Sequence, residues 1–195
     1  MSQPSSRAAR RAILSNAVNF HPILVHIPVA LLSFYAVFEC IRIDALLKLR
    51  EWFYIKASFL FLGGLGALAA ALAGPLGERL FSFERSTIQA HKFFAGFTIA
   101  IFGLIALIYL AMFIDDIWGK RIWHSRYRSA WRSIMEFDDR LFTGAVLVPM
   151  AVAGLAALLV TAALGVTIVY GATNDPFTHA VNTVIAPLLP FVSRW

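Results

Sequence analysis

The sequence predicts an all-α fold: an integral membrane four-helix bundle with an interfacial amphipathic segment. Of the 195 residues, 59% are hydrophobic and only 14% are charged, where a soluble domain carries about 25% charge. Mean hydropathy is +0.73. Four apolar windows reach the roughly 20 residues that a helix needs to cross a bilayer. None alternates as a strand would, and helices satisfy their own backbone in lipid.

The charge balance narrows the partners. The formal net charge of +6 reads as basic flanks on anionic lipid, with no nucleic acid expected. Cys40 is the single cysteine, which excludes an internal disulfide, a Cys-x-x-Cys-His haem attachment and a cysteine-held iron–sulfur cluster. It is expected to be a small packed residue.

Residues 1–21 form a polar tail with Arg7, Arg10 and Arg11. The apolar run that follows has no small-residue cleavage site, so it reads as an uncleaved first span over 22–41. Pro22 suits its first turn. Pro28 lies deeper and removes the bond to the Leu24 carbonyl. His26 therefore sits one turn inside the membrane, where an ionisable group is expected to face other helices or a cavity.

A short charged connection, with Arg42, Asp44, Lys48, Arg50 and Glu51, leads to Trp52 and Tyr54 at interfacial depth. The second span, 55–73, carries small residues at four-residue spacing, Gly63/Ala67/Ala71 and Gly66/Ala70/Gly74. They predict close packing within the chain rather than a dimer interface. Gly74-Pro75 is expected to end that helix. His91 and Lys92 open the third span, 93–114.

Residues 115–140 are the most polar part of the chain, yet Trp123, Tyr127, Trp131 and Ile134 recur there at helical spacing among arginines. That pattern predicts an amphipathic helix in the headgroup region. The fourth span covers 144–170, completing a transmembrane domain over 22–171. The tail, 172–195, is too short and too rich in proline for a fifth span. It is expected to be interfacial or bound to a partner.

Four spans place both termini and the connection between spans two and three on one side. That side carries seven Lys and Arg, and the other carries ten. The positive-inside rule puts the richer side in the cytoplasm. His21, His26, His91 and His179 then share the opposite, periplasmic side, and His124 alone lies with the arginines.

Neutral imidazole is a strong ligand for haem iron, and for copper or zinc. A membrane b-type haem needs two imidazoles from different helices facing across the bundle, and His26 and His91 fit by depth. His21 and His26 stand about 140° apart around one helix axis and cannot both serve one iron. His21 is left in a supporting place, or paired with His179. Each of these histidines can also be read as an interfacial hydrogen-bonding residue. No phosphate loop, Gly-x-Ser-x-Gly or His-Glu-x-x-His occurs. Glu39, near the far end of span one, is expected to pair with Arg42 or Lys56. Asp115, Asp116, Asp138 and Asp139 are expected to pair within the Arg-rich connection.

The element His21-Pro22-x-x-Val25-His26-x-Pro28-x-Ala30-Leu31-Leu32 resembles the opening signature of a four-span bacterial membrane family, domain of unknown function 2231. The small residues from Gly63 to Gly74, His91, and Gly165-Val166-Thr167-Ile168-Val169-Tyr170-Gly171 are similar to its later features. The resemblance implies a bacterial inner-membrane location. It also implies a redox-chain role, because the family's domain occurs joined to iron–sulfur or cytochrome-like domains.

The function expected is a non-catalytic electron-transfer subunit holding haem b through His26 and His91. It would work with quinone or another redox protein. The alternatives are a cofactor-free structural or anchoring subunit of a larger membrane complex, and a copper- or zinc-binding membrane protein.

Overall fold

A computed structural model describes residues 21–80, 85–123, 127–141, 144–171 and 175–188. These residues are all-α, with no strand among them. We number the helices α1 (His21–Cys40), α2 (Asp44–Leu47), α3 (Arg50–Leu80), α4 (Arg85–Trp123), α5 (Arg128–Leu141), α6 (Gly144–Tyr170) and α7 (Pro176–Ile185), followed by a 3-10 turn at Ala186–Leu188.

Three of them, α3, α4 and α6, are long and apolar enough to cross a membrane, over Arg50–Pro75, Arg85–Gly119 and Gly144–Tyr170. The apolar part of α1, Leu24–Cys40, is shorter, although all 20 residues of the helix would run about 30 Å. Leu62, Leu65, Leu72, Leu107 and Val169 lie exposed on the outer faces. Such a wide apolar exterior is what lipid, not water, solvates.

The long helices pack in the cyclic order α1, α3, α4, α6, with α1 and α4 on a diagonal. Small residues set the close approaches. A Cβ added at Gly63 would lie 2.8 Å from the Leu32 side chain, and one at Gly66 would lie 3.0 Å from Ile27. The small-residue face of α3 thus packs within the chain, on α1, as its spacing predicts. Gly154 plays the same part on α6, 2.9 Å from the Phe102 ring of α4. These pairs run in opposite chain directions, so neighbours are antiparallel and the diagonal helices α1 and α4 are parallel. The core holds Leu32, Tyr35, Leu60, Phe102, Ile105, Tyr109, Leu147 and Ala151.

Several element ends differ from the sequence reading. Helix α3 continues through Pro75 to Leu80: a proline inside a helix removes one backbone bond and kinks the helix without having to end it. Helix α4 begins at Arg85, so His91 lies nearly two turns inside it. It also runs on to Trp123, past Asp115 and Asp116, whose carboxylates find partners at its end. Residues 115–123 therefore extend a membrane helix, and only α5 is the separate amphipathic piece. Trp123 and Tyr127 stand outside α5. The tail forms α7, capped where the Asp175 carboxylate accepts from the Thr178 N–H at 2.9 Å, with Pro176 at its first position. Cys40 is exposed, not packed.

Candidate functional site

Two groups of polar side chains occupy opposite ends of the bundle. At one end Glu39 of α1 is completely buried and Lys56 of α3 nearly so. Lys56 Nζ donates to Glu39 Oε2 at 2.8 Å, and the Tyr109 hydroxyl of α4 donates to the same oxygen at 2.6 Å. The buried Tyr35 hydroxyl approaches it at 3.4 Å. Arg42, one turn on, reaches Glu39 Oε1 at 3.5 Å. The rings stack around this centre: Tyr35 meets Tyr109 edge-on, Phe53 lies parallel to Tyr109 at 5.3 Å, and Lys56 Nζ is 5.6 Å from the Tyr109 ring centre. One carboxylate thus ties α1, α3 and α4 together. Gly144 opens α6 beneath the Arg42 guanidinium, where any side chain would collide with it.

This arrangement confirms that Glu39 pairs with Arg42 and Lys56, and adds two phenols. Farther out, Arg50 of α3 donates to Asp116 of α4 at 2.5 Å, and the Tyr54 hydroxyl donates to the same carboxylate. Asp116 thereby pairs with the second apolar helix and not within the Arg-rich connection. Asp115 does pair within it, accepting from Trp131 Nε1 at 2.8 Å and fixing α5 to the end of α4. Asp138 and Asp139 belong to α5, and their side chains lie outside the described residues.

The opposite end holds the histidines. His91 of α4 is half-buried, and its Nδ1 lies 3.0 Å from the Thr161 carbonyl of α6. A carbonyl only accepts, so Nδ1 carries a proton. The ring lies over Gly165, where an added Cβ would stand 3.5 Å from His91 Cε1. Beside it Ala90 packs with Leu164 and with Ile185 of α7. Helix α7 therefore covers the end where His91 sits, and brings the exposed His179 to the same end.

His26 does not meet the expectation of an inward-facing group, because it is exposed. It stands thirteen residues before the buried Glu39, about 140° away around the helix. The inward line of α1 is Leu32, Tyr35 and Glu39 instead. The backbone of His21 opens α1. His124 lies outside the described residues. Among the described residues, no group of three His, Cys, Asp or Glu forms a metal site.

An apolar cleft of about 370 Å³ opens between α3 and α4, lined by Leu60, Gly64, Leu68, Phe102, Gly103 and neighbours. Comparison with protein-family models, curated proteins and solved structures found no match.

Proposed function

We propose that this chain is an integral membrane electron-transfer subunit of a redox complex, binding haem b at the His91 end of the bundle. The observation that carries this reading is the setting of His91. Its Nδ1–H is engaged by a backbone carbonyl, the arrangement that fixes the tautomer and orientation of a metal-ligating imidazole. Nε2, the other ring nitrogen, is the atom a haem iron would take. The ring rests at ordinary contact distance on Gly165, and Ala90, Leu164 and Ile185 pack beside it. Haem b, when bound, supplies one-electron chemistry. The chain's own part is to orient His91, exclude water through α7, and hold the helices in register. Quinone or a second redox protein is the electron partner in this reading. The location is the bacterial inner membrane, with the His91 end periplasmic and the Glu39 end cytoplasmic. Membership of the four-span family, with α1 as the first span, is part of the same proposal.

The test is a dithionite-reduced minus oxidised absorbance spectrum of the purified protein. A sharp low-spin b-type band, lost in His91→Ala, is the expected result. Protein that stays colourless when produced with ample haem overturns it.

The buried Glu39–Lys56 pair favours a second reading, a cofactor-free anchoring subunit. It holds three helices in a fixed arrangement, as a rigid anchor requires. Under that reading α5 and α7 are buried against other chains, and crosslinking from Trp131 and Phe177 sites would capture them.

A further inference from the structure

We infer that the cleft between α3 and α4 holds one acyl chain of a phospholipid, drawn from the leaflet on the His91 side. This site lies apart from His91 and requires neither haem nor a particular sidedness of the molecule.

Register places small residues opposite one another across the cleft. Helices α3 and α4 are antiparallel neighbours, and the Tyr54 ring meets the Phe113 ring at 5.9 Å. Each step forward along α3 is a step back along α4. Gly64 therefore stands level with Gly103, and Ala71 level with Gly96. Residues seven apart fall within about 20° on one helix face, so each wall of the cleft continues as a small-residue line toward the His91 end. A Cβ added at Gly64, Gly103 or Gly96 would meet nothing within 4 Å, and Ala71 is exposed. Toward the Glu39 end the helices close instead. Phe113 packs on Tyr54 and Phe61, and Asp116 takes the Arg50 guanidinium.

Depth follows from the same residues. Gly64 is the middle of the apolar window 55–73, and Gly103 lies at the middle of 93–114. The cleft of about 370 Å³ that they line is thus at the bilayer midplane. Leu65 and Leu68 belong both to its lining and to the exposed apolar exterior, so it opens on lipid.

The walls decide the chemistry of the occupant. No lining side chain donates or accepts a hydrogen bond, so a headgroup, a quinone ring or water would leave its polar atoms unpaired there. An apolar cavity of about 150 Å³ already stays dry and takes benzene; this cleft is more than twice that size. A second helix is too bulky. One turn, about 10 Å wide and 5.4 Å long, fills roughly 420 Å³, whereas the cleft runs past more than two turns of α3, from Leu60 to Leu68. A single hydrocarbon chain fits. Half the hydrocarbon core, about 15 Å, separates the midplane from a headgroup. A chain anchored at the interface of the His91 end would pass Ala71 and Gly96 and finish in the cleft.

The test places the full chain in phosphatidylcholine vesicles with a trace of phosphatidylcholine bearing a photoreactive diazirine on one acyl chain, either near the chain end or halfway along. Mass spectrometry then locates the labelled residues. The chain-end probe is expected to label residues 60–68 and 99–106 above other exposed positions such as Leu159 of α6. The halfway probe is expected to label the Ala71 and Gly96 level. Gly103→Phe fills the cleft from a position with open space, and should lose the chain-end label there while keeping it at Leu159. Gly64→Leu does the same from the other wall, and decides the matter if the first variant does not fold. Even labelling of all exposed faces in wild type, or cleft labelling unchanged in the filled variants, overturns the inference. A halfway label at the Phe61 and Phe113 level overturns the leaflet. Displacement by an isoprenoid quinone but not by unlabelled phospholipid overturns the acyl occupant, and so does loss of label at high protein density, the mark of a second copy in the cleft. None of these outcomes depends on a haem spectrum, so the two readings fail separately.

Discussion

Glu39 is a carboxylate taken out of water, and its partners decide what that costs. Breaking a buried ion pair from one side leaves the other charge uncompensated, at about 3–5 kcal/mol. Glu39→Ala and Lys56→Ala are each expected to destabilise the bundle by an amount in that range. The pair Glu39→Leu with Lys56→Met should cost clearly less than the sum of the two alanine variants, because no buried charge remains. Thermal unfolding in detergent measures all three. Arg42 and Lys56 were legible as partners of Glu39, being one turn away and just across a short connection. Tyr109 was not, since it lies seventy residues on and reaches Glu39 only through diagonal packing. The exposed facing of His26 carries no signature in the sequence, for a physical reason. A membrane helix is apolar all round, so hydrophobic periodicity, which marks the inner face of a soluble helix, is missing. Facing therefore could not be read from the sequence.

At the level of elements, glycine position separates packing from permissiveness. A Cβ at Gly63 would press on Leu32 at 2.8 Å, whereas one at Gly64, the next residue, meets nothing within 4 Å. Gly63→Ala is expected to push α1 from α3 and cost about 1–3 kcal/mol. Gly64→Ala should be neutral or slightly stabilising, by up to about 1 kcal/mol from helix propensity. Equal effects of the two in the same unfolding assay would contradict the α1–α3 contact. The extent of the apolar windows was legible because lipid thickness dictates it. The true helix ends were not. Helices α3 and α4 run on past the apolar windows, where Arg50, Tyr54, Asp115 and Asp116 take part in hydrogen bonds across elements. No local signal announces such pairing. The tail helix α7, by contrast, carries its own start in Asp175-Pro176.

Across the whole molecule, the two polar ends mark two membrane faces. Cys40 adjoins Glu39 and is both exposed and the only thiol in the chain. In the orientation proposed above, a membrane-impermeant maleimide should fail to label it in intact cells and should label it in inverted vesicles. Labelling from outside would reverse the sidedness of the molecule. The Glu39–Lys56 bond also bears on how the chain is made. Seventeen residues separate the two, so the cation leaves the ribosome soon after the anion. Tyr109 follows only much later. A lone acidic side chain entering lipid at the insertion machinery costs up to about 2.5–3.5 kcal/mol. In the four-span reading proposed above, insertion of α1 together with α3, as a hairpin in which Glu39 already has its cation, avoids that penalty.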